Sequence, residues 1–201
     1  MDLLARLQIL RLPRPGVFLA LLLLLAFRLA AQAAGGNLTS PGTVHSQTIG
    51  DEYTVKAAFL YNFVKFVDWP AKAFQRADDP IRICTLDESP IGRALDETVR
   101  GRTFAGRHLV AVRISEPRQA NDCHMLFVGS SEQKPFRSIL PKLRTTGLLT
   151  VGEEDGFAEA GGMINLKLQD GKIQLEINAE AAERAQLRLS SKLLSLARIV
   201  K

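Results

Sequence analysis

Ser131-Glu132-Gln133-Lys134 sets a hydroxyl three residues before an amine, the spacing penicillin-binding enzymes use to activate a serine. Those enzymes also need S-D-N and K-T-G elements. Neither accompanies it here, so the spacing is read as chance. Gly129-Ser130-Ser131 opens a predicted helix and offers backbone N–H groups to an anion. An ordinary serine cap accounts for the same residues and is preferred. Glu153-Glu154-Asp155 gathers three carboxylates, the oxygen chemistry of a hard cation. Without further oxygen ligands in view, a solvated acidic loop is the simpler reading. His45, His108 and His124 are scattered, and one His–Cys neighbour, Cys123-His124, does not make a metal site. Asp87 and Glu88 follow a predicted strand, as the acidic pair of a phospho-receiver domain would. The run that should end in the phosphorylatable Asp ends instead in Val128-Gly129-Ser130-Ser131. No G-x-S-x-G, G-x-G-x-x-G or phosphate-binding P-loop occurs. No nucleophile, base and orienting group assemble, so the expectation is no catalytic, cofactor-binding or metal residue, and no enzyme.

The elements that would position these residues begin with Glu52 to Pro70. Val55, Ala58, Phe59, Phe63, Phe66 and Val67 recur every three or four residues and predict one buried helix face. Asn62 falls inside that stripe and is expected as a buried amide tied to neighbouring backbone. Pro70 biases Trp69 away from helical dihedrals and should end the helix. Ile81–Leu86, Leu109–Ile114, Met125–Val128 and Leu148–Val151 read as strands. Ile91–Val99, entered through Ser89-Pro90, and Ser131–Arg144 read as helices between them. This alternation predicts an α/β domain, a Rossmann-like three-layer α/β/α arrangement with a mostly parallel sheet of about six strands. Met163–Leu168 and Lys172–Ile177 flank Asp170-Gly171, a hairpin signal, so the sheet should finish antiparallel. Asn178 should cap a C-terminal helix with Leu189, Leu193, Leu196, Ala197 and Val200 on one face.

The first 33 residues read as a secretory signal. Arg6, Arg11 and Arg14 form a basic front, Val17 to Phe27 an apolar run of eleven, and Ala31-Gln32-Ala33 an A-x-A cleavage site. Arg28 is atypical, and an uncleaved anchor is the alternative. Residues 34–50 are expected as a flexible lead-in to a domain over 51–201. Removing residues 1–33 takes away four Arg and one Asp and lowers the net charge from +5 to +2. A domain that close to neutral carries no electrostatic footprint for nucleic acid. In an exported protein, Cys84 and Cys123 most simply make one disulfide, and two buried free thiols are the alternative.

Two blocks resemble a known family. Lys56-Ala57, Tyr61-Asn62-Phe63, Lys65-Phe66 and Trp69-Pro70 are similar to the opening signature of the YfiR family of bacterial periplasmic proteins. Glu176-Ile177-Asn178, Leu189-Ser190-Ser191-Lys192-Leu193-Leu194 and Leu196-Ala197 are similar to its closing segment. The blocks bracket residues 52–201. The resemblance implies a periplasmic regulatory binding protein. Such a protein represses the sensor domain of an inner-membrane diguanylate cyclase, lowers cyclic di-GMP and biofilm formation, and forms a homodimer. A second cysteine pair found in some relatives is absent here, so behaviour resting on it does not carry over. The partner surface is expected on the last hairpin and helix, with Phe157, Met163, Glu176 and Arg188 as contacts. Phe157 and Met163 are carried by a Gly-rich loop where the parallel pattern gives way; interfaces favour both residue types, and folding back onto the core is an equal alternative. The alternative function is a periplasmic small-ligand-sensing accessory protein for another membrane receptor, a histidine kinase or an outer-membrane uptake system. Its ligand is unknown.

Overall fold

A computed structural model describes residues 41–86, 89–130, 135–143 and 146–201. Residues 45–201 form one compact unit, to which the following refers; of residues 1–44, only 41–44 are described, as the first turn of a helix. The expected leader therefore lies outside the described residues, as do Asp87, Glu88, Ser131 and Lys134.

Helix α1 spans Pro41–Phe63, passes through a 3₁₀ turn at Val64–Phe66 and ends in strand β1, Val67–Asp68. Helix thus reaches back over residues 41–50, which composition had suggested as a flexible lead-in. Its buried face differs from the expected one. Ala57, Leu60, Phe63, Val64 and Val67 are buried, whereas Val55 and Ala58 are exposed. Asn62 is exposed too and accepts a hydrogen bond from Lys65 Nζ at 3.1 Å, so it is not the buried tie predicted. Apolar residues occupy nearly the whole circumference of this helix. Spacing alone does not choose the face; the sheet does.

The sheet is built from β2 (Ile81–Leu86), β3 (Thr103–Phe104), β4 (Arg107–Ile114), β5 (Met125–Val128), β6 (Leu149–Gly152), β7 (Ile164–Gln169), β8 (Lys172–Asn178) and β10 (Ala197–Val200). The order is β10-β8-β7-β6-β5-β2-β4-β3. Strands β7, β6, β5, β2 and β4 run parallel, with antiparallel pairs at β7/β8 and β4/β3. The α/β, mostly parallel architecture expected from the sequence is what the chain adopts. Chain order reverses at β2, which has β4 on one side and β5 on the other. That reversal is the topological switch point of an open α/β sheet.

Side chains alternate between two cores, one on each face. Ile81, Ile83, Met125, Phe127, Leu149 and Val151 pack against α1 and against α2 (Ile91–Val99). Cys84, Leu86, Leu126 and Val128 pack against the 3₁₀ helix Pro117–Asp122 and the short α3, Phe136–Ile139. Strands buried on both faces explain the unbroken apolar run Met125–Val128. Burying a side chain such as Phe63 or Phe127 contributes about 2–3 kcal/mol. Cys84 and Cys123 form a disulfide with Cα atoms 6.0 Å apart, tying β2 to the turn before β5.

Asp170 and Gly171 both have positive φ, the backbone a tight two-residue hairpin requires, so the Asp-Gly signal describes the β7–β8 turn. Asn178 caps α4 (Ala179–Arg184), its Oδ1 accepting from Ala181 N–H at 2.8 Å. Beyond α4 the chain departs from the expected helix. Strand β9 (Arg188–Leu189) pairs with β1, α5 (Ser191–Leu194) is a single turn, and Ala197–Val200 becomes edge strand β10, parallel to β8. Leu193 is buried, Leu189 half-buried and Leu196 exposed, so these residues do not share one helical face.

Candidate functional site

Polar groups at the carboxyl ends of the strands are bound to one another. Glu153, one residue past β6, is almost wholly buried. It accepts from Lys56 Nζ of α1 at 2.5 Å and from Ser130 N–H at 2.8 Å. Lys56 also meets Glu52 one turn earlier at 2.5 Å. Burial alone would lower the Lys56 ammonium, but its bonds to Glu153 and Glu52 outweigh that and hold it above its ordinary value. The Ser130 N–H, one of those weighed for an anion, is thus taken by the protein's own carboxylate. Glu153 is an anchor between α1 and the β5 turn, not part of a solvated acidic loop. Asp155 is exposed and pairs with Lys167 at 2.7 Å.

Around the β6–β7 connection, glycine and Phe157 fit as slot and plug. Phe157 is buried, its ring packed edge-on against Phe136 with centroids 5.5 Å apart. A Cβ on Gly152 or Gly162 would lie 2.4 or 2.2 Å from Phe157 ring atoms, so only glycine leaves room at both positions. Asn178 Nδ2 donates to Ala158 O at 3.0 Å, and Thr150 Oγ1 accepts from Met163 N–H at 3.1 Å, fixing both ends of the loop. Met163 is buried as well. The loop expected to present Phe157 and Met163 to a partner folds both inward, because the two glycines open a seat beneath it.

Glu176, also expected as a contact, lies in one cross-strand row with Asn165 of β7 and Arg198 of β10. Its carboxylate is buried and accepts from Arg198 Nη2 at 2.5 Å and Asn165 Nδ2 at 3.2 Å. Burial pushes Glu176 up, but these bonds prevail and hold it below its ordinary 4.5. Arg198 stays largely exposed and reaches Glu159 at 3.4 Å as well. Of the four expected contacts, Arg188 alone is exposed.

The apolar surface that sequence reading missed lies on the last strand. β10 is a sheet edge among the described residues; Ile199 on it is 50% exposed, and Leu196 just before it 66%. The helix-like spacing of the segment concealed that edge. Among the described residues, no group of three His, Cys, Asp or Glu is placed to hold a metal ion, and no helix is long and apolar enough to cross a membrane.

The model of the YfiR/HmsC-like family matches residues 53–198, from within α1 to the middle of β10. The chain belongs to the YfiR/HmsC-like family. No curated protein matches the chain. YfiR/HmsC-like proteins are periplasmic regulators of diguanylate cyclases and form a regulatory, non-catalytic family. In this YfiR/HmsC-like chain the matched span contains the disulfide, the Phe157 seat and the Glu176 row, and it ends within the exposed edge.

Proposed function

We propose that this chain acts in the periplasm as a regulatory binding protein. It engages the sensor domain of an inner-membrane diguanylate cyclase and favours that domain's inactive state, lowering cyclic di-GMP and biofilm formation. Residues 1–33 serve as the export signal, cleaved near Ala33, and residues 51–201 act as the binding domain. The observation that carries this reading, beyond family membership, is the free edge of β10. Edge strands offer unpaired N–H and C=O groups to another chain, and natural proteins usually blunt them with charge. Arg198 places one charge on this strand, and Leu196 and Ile199 expose apolar side chains beside it. Arg188, exposed on β9, supplies further charge for partner choice.

Repression then works by differential binding: the edge prefers one state of the sensor and shifts its population. The reactive-looking groups support a non-enzymatic role, since Ser130, Glu153, Lys56 and His124 are committed to structural bonds. Phe157, Met163 and Glu176 act from beneath, shaping the surface rather than touching the partner. A homodimer through the same edge competes with the sensor for it. Binding of the purified sensor domain tests the reading. Leu196→Glu/Ile199→Glu should weaken it by about a hundredfold, the effect of losing two apolar anchors, and equal affinity for both chains would refute it. Failure to bind any cyclase sensor, with binding to a histidine kinase or uptake receptor instead, would favour the accessory-protein alternative.

A further inference from the structure

A cleft of about 390 Å³ opens at the amino-terminal end of the central strands, where the 71–80 connection, the start of β2 and the residues before β5 meet. Its frame is held by bonds internal to the protein. Arg107 donates to the carbonyls of Arg76 and Asp79 at 3.1 and 2.8 Å and lies over the Phe74 ring at 3.8 Å. Phe74 stacks on His124 at 4.4 Å. His124 Nδ1 accepts from Arg82 N–H at 3.1 Å, which leaves the ring proton on Nε2, 3.1 Å from Ala73 O. The Asp79 carboxylate is spent on the N–H groups of Arg76 and Gln75 and on Arg76 Nε. The Cys84–Cys123 bridge braces the wall that carries Asn121 and Asp122.

What the frame leaves over is cationic. Lys72 and Arg82 line the cleft, both exposed, and neither has a counter-ion among the described residues. Asp122 is the one carboxylate of the lining that the frame does not use. Two uncommitted cations lining one cleft match a small oxyanion, because charge-assisted hydrogen bonds are the strong ones. We propose that this cleft binds a small solute bearing a carboxylate or phosphate group, held by Lys72 and Arg82. The inference does not depend on the cyclase reading.

Isothermal titration calorimetry of the full chain with citrate and with inorganic phosphate tests it, the two probes separating a carboxylate from a phosphate ligand. Saturable binding of at least one is expected. Lys72→Ala and Arg82→Ala should each weaken it by roughly tenfold, the loss of one charge-assisted bond. Asp122→Asn should tighten it, and Arg184→Ala, outside the cleft, should leave it unchanged. Lys72 and Arg82 are exposed, so thermal unfolding of their variants should match the parent chain. No saturable heat with either anion, or a Lys72→Ala/Arg82→Ala chain that binds as tightly as the parent, would overturn the proposal.

Discussion

Glu176 and Arg198 show how a pair can be unequal at its two ends. Glu176 is buried and Arg198 is mostly exposed. Removing the exposed cation strands a buried carboxylate on Asn165 alone, whereas neutralising the buried acid leaves a cation that water can solvate. Arg198→Ala should therefore cost more stability than Glu176→Gln. Equilibrium denaturation of both variants checks the order. The pH dependence follows from the same bonds. The Glu176 carboxyl sits below its ordinary 4.5 in the folded state, so its contribution is present above that value and is lost as pH falls through the folded value. Glu176→Gln should flatten that part of the acid limb. Gly162 makes a second case at this scale. A methyl there meets the Phe157 ring at 2.2 Å, so Gly162→Ala should either expel Phe157 or cost about 2–4 kcal/mol, read as a lowered denaturation midpoint.

At the scale of elements, much was legible in the sequence. Ile81–Leu86 and Met125–Val128 declared themselves by apolar runs between turn residues. Asp170-Gly171 fixed a hairpin by backbone preference, and Asn178 capped a helix as its type suggests. What stayed hidden was whatever tertiary partners decide. The three-and-four spacing of Leu189, Leu193 and Leu196 reads as helix, yet pairing with β8 pulls Ala197–Val200 into a strand. On a helix whose apolar residues are spread around its circumference, Asn62 could not reveal which face the sheet would take. Phe157 and Met163 had the composition of an interface, but the slot that holds Phe157 exists only once Gly152 and Gly162 are brought side by side. The short β3 hairpin carried no strong signal either, because Ala105 rather than Asn or Asp takes positive φ at its turn. Under the proposed function the deciding element is β10. Leu196→Glu/Ile199→Glu changes exposed positions, so its stability should stay within about 0.5 kcal/mol of the parent while partner binding falls. Phe157→Ala should lose binding only in step with a stability loss of about 3–5 kcal/mol. Comparing thermal unfolding with binding in the two variants separates a contact from a support.

For the whole molecule, one covalent tie spans the sheet's centre. Cys84 and Cys123 are 39 residues apart in sequence, and closing a loop of that size stabilises by about 4 kcal/mol in the chain-entropy account. Reductant, or Cys84→Ala/Cys123→Ala, should lower the denaturation midpoint accordingly, and an unchanged midpoint would deny the bridge its role. The molecule that results is a braced α/β sheet with its buried charges paired, a cationic cleft at one end and an open apolar edge at one side. The central claim is that this edge represses a cyclase. The most direct measurement is cyclic di-GMP production by a membrane diguanylate cyclase in vesicles, with the chain added at the sensor side. The account predicts saturable inhibition that the Leu196→Glu/Ile199→Glu chain does not produce and the Lys72→Ala/Arg82→Ala chain still does. Unchanged output with the parent chain, or full inhibition by the edge variant, would contradict it.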